Sequence, residues 1–266
     1  SSHSAQEVHA SLQMALRRLS RLSAQVCAEP AEEVIASVEG SVGRLVLNRP
    51  QALNALNRGM CESLLQNVKE WDRDPAVKFI LLSAVGKAFS AGGDVRAVAV
   101  DGKAGGDLPV QQFRAEYSLM HWVAKCSKPQ VALMDGAVMG CGAGLALHGR
   151  FRVATEKTVL AMPETAIGIF PDVGASFFLP RLRSQLGIFM GLTGYRLNAR
   201  EALSLGLATH FVPASKLPAL REALLEAAAS PNAAEPSIAS AIERFAGAPP
   251  ADMAGALLGD EGGIGR

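Results

Sequence analysis

The sequence predicts an α/β fold. Three observations carry that expectation. Short β-rich runs recur along the chain, glycine-containing turns follow them, and segments with helical periodicity follow the turns. Repeated strand–turn–helix units place the working loops at strand ends.

The elements follow in order. "EEVIASVEGSVGRLVLNRP" reads as a hairpin whose two strands flank Glu39-Gly40, with Pro50 ending the second strand. "NRGMCESLLQNVKEWDRDP" has helical periodicity in Met60, Leu64, Val68 and Trp71, with Asn57 as N-cap. "VKFILLSA" is a buried strand, and "GKAFSAGGD" a turn ending in a helix start. Residues 99–109 form a polar, glycine-rich loop expected to be mobile. "VQQFRAEYSLMHWVAKC" is a helix, "KPQVALMDG" a strand, and "GCGAGLALHG" a helix start built of small residues. "FRVATEKTVLAMPE" reads as two short strands around Glu156-Lys157. "VGASFFLPRLRSQLGIFMGLTG" reads as helices parted near Gly187, "NAREALSLGLA" as a helix and "THFVP" as a short strand.

The bulk numbers bound the function. A chain of 266 residues holds one large α/β domain, or one domain and a small appendage. A net charge of +1 gives no electrostatic case for nucleic acid or a charged membrane surface, and no run of about 18 apolar residues suggests a membrane span. Cys27, Cys61, Cys126 and Cys141 form no CxxC pair and read as buried thiols in a reducing compartment. The histidines show no ligand spacing, so no metal is expected. The first 28 residues carry Arg17, Arg18 and Arg21 against a single acid, Glu7, and have an apolar helical face. Such a leader reads as a mitochondrial transit segment.

The turn "GCGAG" (140–144) is the most informative stretch. Its glycines match a dinucleotide fingerprint only partly, because Leu145 stands where the last glycine belongs. There is no P-loop and no GxSxG elbow. Taken alone, such a turn is more often plain packing than a ligand site. Two other segments share its chemistry. "KAFSAGGD" offers backbone N–H groups at a loop-to-helix junction, as "DGAVMGCGAG" does. "MPETAIGIFPDVG" carries Glu164 and Asp172 among apolar residues, where burial raises a carboxyl pKa.

Together "NRPQALNAL", "KAFSAGGD", "DGAVMGCGAG" and "MPETAIGIFPDVG" resemble the crotonase (enoyl-CoA hydratase/isomerase) superfamily. Longer stretches, such as "LTGYRLNAREALSLGLATHFV", are similar to its thioester-hydrolase branch. The resemblance covers about residues 31–226. It implies a crotonase-like spiral of ββα units acting on an acyl-CoA thioester, with coenzyme A part of the substrate and no separate cofactor. It implies an oxyanion hole from the N–H groups of Gly93 and Cys141, the latter at a position where relatives usually carry glycine. A cysteine there is expected to crowd the thioester or to take a backbone angle better suited to glycine. Hydratases of the superfamily carry a glutamate where this chain has Gly144. The chain keeps Glu164 and adds Asp172, so the resemblance implies thioester cleavage of a 3-hydroxyacyl-CoA with Glu164 and Asp172 catalytic. Glu116, Glu164, Asp172 and Cys141 are the implied substrate contacts, and a homo-oligomer is left open.

The expected organisation is a leader over 1–30, the acyl-CoA domain over 31–226, and a C-terminal helical tail over 227–266. That tail reads as truncated beside the branch. Two other readings stay open: a non-catalytic acyl-CoA-binding protein, and a hydratase or isomerase on the same scaffold.

Overall fold

The computed structural model describes residues 32–229, 235–251, 253 and 257. The leader and Cys27 lie outside them, as does most of the chain after residue 251. The expected hairpin forms: β1 (Val34–Glu39) pairs antiparallel with β2 (Val42–Leu47), with Glu39 opposite Val42. Helix α1 (Arg58–Arg73) starts where the Asn57 side chain accepts from the Met60 N–H at 2.9 Å. Its buried stripe of Met60, Cys61, Leu64, Val68 and Trp71 follows the helical period read from the sequence.

From there the chain winds in ββα turns, the spiral that the resemblance implies. The first turn is β3 (Phe79–Ala84), β4 (Ala88–Ser90), α2 (Val95–Lys103) and α3 (Leu108–Lys125). The second is β5 (Gln130–Met134), β6 (Ala137–Met139) and α4 (Cys141–Leu147). The third is β7 (Phe151–Ala154) and β8 (Val159–Ala161), followed by short helical turns, α5 (Ala175–Phe178) and α6 (Leu186–Thr193). Then come β9 (Leu197–Asn198), α7 (Ala199–Ser204), β10 (His210–Phe211), α8 (Leu217–Ala229) and α9 (Glu235–Glu243).

In each turn the first strand joins one sheet and the second joins another. The six-stranded sheet runs β1-β2-β3-β5-β7-β10, and the four-stranded sheet runs β4-β6-β8-β9. All pairings after the hairpin are parallel except β8 with β9. One core fills the space between the sheets and helices α1 and α3, with Leu64, Phe89, Leu119 and Met134 in it. A second lies on the far face of the six-stranded sheet, where α8 and α9 bring Leu220, Leu224, Ile238 and Ile242 onto Phe79, Leu81 and Val153.

Two expectations need correction. The segment 99–109 is not one mobile loop. Residues 99–103 complete α2, whose N-cap Asp94 accepts from the Ala97 N–H at 3.1 Å, and α3 already begins at Leu108. Its Gly and Asp content argued against helix, but a capped start outweighs that weak preference. "GKAFSAGGD" is not only a turn, since Ala88–Ser90 is a fully buried strand. The two short strands expected around Glu156-Lys157 form as β7 and β8. Each joins a different sheet, with Asp135 tying the corner through the Thr155 hydroxyl at 2.7 Å.

Candidate active site

The "NRPQALNAL" motif braces the site from behind. Buried Asn54 donates to Val85 O at 2.9 Å and Ala88 O at 2.8 Å, and its Oδ1 accepts from the Arg49 N–H at 2.8 Å. Arg49 Nη1 donates to Asp94 Oδ2 at 2.7 Å, and its Nε lies 3.0 Å from Glu33 Oε1. These bonds fix the loop 91–94 between β4 and α2. Within it, the Leu56 N–H donates to Gly92 O and the Asp94 N–H to Leu56 O, a parallel bridge that turns the Gly93 N–H the other way.

The second loop abuts the first. Gly140 sits at φ 48°, ψ −118°, a conformation that suits glycine. A Cβ there would also lie 2.7 Å from Glu164 Oε1 and would push that carboxylate aside. Cys141 opens α4, and the first N–H groups of a helix have no intrahelical partner. Among the described residues, no hydrogen bond engages the N–H of Gly93 or of Cys141. The strain expected at Cys141 is absent, because Gly140 takes the positive φ and Cys141 does not. Its side chain is only 4% exposed and meets the Cys61 thiol and the Glu116 carboxylate.

All five residues singled out from sequence line one cavity of about 220 Å³: Gly93, Glu116, Cys141, Glu164 and Asp172. Phe113, Ile167 and Ile169 add apolar wall, and no lysine or arginine is among the lining residues. Glu116 projects from α3 beneath Gly93, where a Cβ would come within 2.5 Å of its Oε1. Gln112, one helical turn earlier, donates to Glu116 Oε1 at 2.6 Å and to Leu56 O at 2.9 Å. Glu164 heads a short 3-10 turn after Pro163 and is 6% exposed, and its Oε2 is buried without a partner among the described residues. Such an oxygen is costly unless something binds it. Asp172 accepts from the Tyr117 hydroxyl at 2.7 Å.

The three acids reinforce one another. Burial, with the charges of Asp172 and Glu116 behind it, pushes the Glu164 carboxyl up to about 7. Burial does the same to Glu116, also to about 7, against the Gln112 hydrogen bond. Burial raises Asp172 too, against the bond from Tyr117. With no lysine or arginine among the described lining residues, the unengaged N–H groups of Gly93 and Cys141 are donors open to an oxyanion.

Gly144 proves to be filled rather than vacant. A Cβ there would lie 2.8 Å from the Cβ, Cγ2 and carbonyl oxygen of Val173. Val173, next to Asp172, occupies the space a larger residue at 144 would need. A second acid at that position has no room, so the acid beside Glu164 comes from 172 instead. Sequence reasoning did not single out Gln112, Tyr117, His148 or Val173. Gln112 had a weak signal, four residues before Glu116 on a helix; Tyr117 and Val173 adjoin Glu116 and Asp172 in sequence, but their roles, like that of His148, rest on long-range contacts.

A larger concavity of about 1070 Å³ lies elsewhere, lined by Lys128, Arg150, Arg152 and His210. Arg150 is paired with Glu235, and Arg152 donates to the carbonyls of Gly149, Gly206 and Leu207. Its arginines are thus committed to the protein itself.

Comparison with known proteins places the chain in a family. The Enoyl-CoA hydratase/isomerase family model matches residues 42–260. The chain is 50% identical over 198 residues to the mitochondrial 3-hydroxyisobutyryl-CoA hydrolase of Gallus gallus, covering 74% of this chain and 51% of that one. It is 48% identical over 218 residues to the Homo sapiens protein of the same name, covering 82% and 56%. The chain thus spans about half the length of the curated relatives it matches. Among solved structures, a carnitinyl-CoA dehydratase from Mycobacterium thermoresistibile superposes with a TM-score of 0.75 at 37% identity, covering 82% of this chain and 62% of that one. With most of its length matched by the family model, and with the spiral fold in place, the chain belongs to the enoyl-CoA hydratase/isomerase family.

Proposed function

We propose that the chain hydrolyses the thioester of 3-hydroxyisobutyryl-CoA, or of a close 3-hydroxyacyl-CoA, to the free acid and coenzyme A. One observation carries the reading: a buried, unpartnered Glu164 oxygen shares a cavity with two unengaged backbone N–H groups, and the place of a second hydratase acid is closed by Val173. The names of the relatives support the same substrate.

In this reading the thioester oxygen lies between the N–H groups of Gly93 and Cys141. Glu164 acts on the carbonyl carbon, as nucleophile through a mixed anhydride or as base for an attacking water. Either route passes through a tetrahedral oxyanion, where each donor is worth about 100- to 1000-fold in rate. The C–S bond breaks, sulfur leaves as the thiol, and water supplies the oxygen and hydrogen of the products. No further cofactor is needed to balance the reaction. Asp172 accepts from the substrate 3-hydroxyl, and Glu116, held by Gln112, bounds the acyl pocket. The leader and the names of the relatives support a mitochondrial location, to be tested by fractionation of tagged protein.

Thiol release from 3-hydroxyisobutyryl-CoA, with crotonyl-CoA hydration followed in parallel, tests the reading. Release without hydration is expected. Hydration without release would assign the hydratase reaction, and ester binding without turnover would assign a non-catalytic acyl-CoA binder.

A further inference from the structure

We propose that Tyr117 and His148 are positioning residues that clamp the turn 172–174 from two sides and so fix Asp172 where it selects acyl groups bearing a 3-hydroxyl. The inference rests on the thioester-hydrolase reading above.

The turn closes on its own hydrogen bond, from the Ala175 N–H to Asp172 O at 2.6 Å, but it does so in a strained conformation. Val173 sits at φ 42°, a region that β-branched residues avoid. Such a residue persists only where its surroundings over-determine it. Its side chain is 3% exposed and packs on the bare Cα of Gly144. His148 Nε2 donates to Val173 O at 3.1 Å. On the other flank, the Tyr117 hydroxyl donates to Asp172 Oδ2 at 2.7 Å.

Both clamping groups are built into the site's own helices. Tyr117 follows Glu116 on α3. His148 caps the C-terminal end of α4, the helix whose first residue is Cys141. One buried seven-residue helix therefore carries the Cys141 N–H at one end and the hold on the Asp172 turn at the other. The rings of Phe177 and Phe178 flank His148, with centroids 6.3 and 6.1 Å away. Burial lowers the His148 pKa and so favours the neutral ring, and the Val173 carbonyl, which can only accept, sets the proton on Nε2. Tyr117 takes one of the four or so acceptor sites of the Asp172 carboxylate and leaves the others for a substrate hydroxyl.

The test compares kcat/KM for 3-hydroxyisobutyryl-CoA with kcat/KM for isobutyryl-CoA, which lacks only the hydroxyl. Tyr117→Phe is expected to lower the ratio about tenfold, nearly all of it lost on the hydroxylated ester. His148→Ala is expected to do the same, and His148→Gln, whose amide can donate to the same carbonyl, to restore the ratio. Should His148→Ala fail to fold, Tyr117→Phe still decides. An unchanged ratio in Tyr117→Phe, or equal losses on both esters, would overturn the clamp alone. No thiol release from either ester by the unmodified protein would instead overturn the hydrolase reading beneath it.

Discussion

Two walls of the cavity are built on different principles. One consists of the loop 91–94 after β4 and the first turn of α4 after β6, and presents backbone N–H groups. It sits between buried strands of the four-stranded sheet, and Asn54 and Arg49 lock it from behind. The other, residues 162–174, presents carboxylates. It is irregular, its Ile167 and Phe170 are 56% and 72% exposed, and it depends on Val173 in a left-handed conformation. Backbone donors are aimed once their own main chain is pinned, here by Asn54, Arg49 and the bridge to Leu56. Side-chain acids need distant partners to aim them, here Tyr117 and His148.

Breaking the contact between the two walls should have the largest effect. Gly144→Glu forces a side chain into Val173. Overpacking of this kind costs about 1–3 kcal/mol, so calorimetry should show Tm lowered by roughly 5 °C, with thiol release lost and no crotonyl-CoA hydration gained. A variant of unchanged Tm that hydrates crotonyl-CoA would show that the walls are not in contact as described.

The acid wall also predicts a pH dependence. The acting Glu164 oxygen must be ionised, and burial holds its pKa near 7. The kcat/KM profile should therefore fall about tenfold per pH unit below about 7 and level off above it. The stability consequence has the opposite sense. A carboxyl whose pKa rises from 4.5 to about 7 on folding favours the folded state most at low pH, and this contribution is lost as pH rises through about 7. Glu164→Gln should accordingly raise Tm at pH 8 and leave it nearly unchanged at pH 4.

The smallest effect belongs to the backbone wall. Cys141→Gly keeps the N–H and removes only a thiol turned toward Cys61 and Glu116. Steady-state rates should stay within about threefold of the parent, since the oxyanion donor is retained. A hundredfold loss would show that the thiol itself takes part.

The contrast between the walls also explains what could be read from the sequence. The hairpin at Glu39-Gly40, the stripe Met60, Leu64, Val68 and Trp71, and the convergence of Gly93, Cys141 and Glu164 all rest on local patterns and ordered motifs. The run "KPQVALMDGAVM" was harder, because it divides at Asp135-Gly136 between two sheets without losing its apolar character. Helix α2 was obscured by its Gly and Asp content. Tyr117, 55 residues from Asp172, and His148, 25 residues from Val173, had no local signature at all. Why position 144 is glycine became plain only once Val173 was seen against it.

The central claim is that Glu164 attacks, or activates water against, a thioester held by two backbone N–H groups. The most direct measurement pairs thiol release by Glu164→Gln with calorimetric binding of the same CoA ester. The account predicts turnover lowered by several orders of magnitude with binding largely kept, because the two N–H groups and Asp172 remain. Unchanged turnover in Glu164→Gln would contradict it.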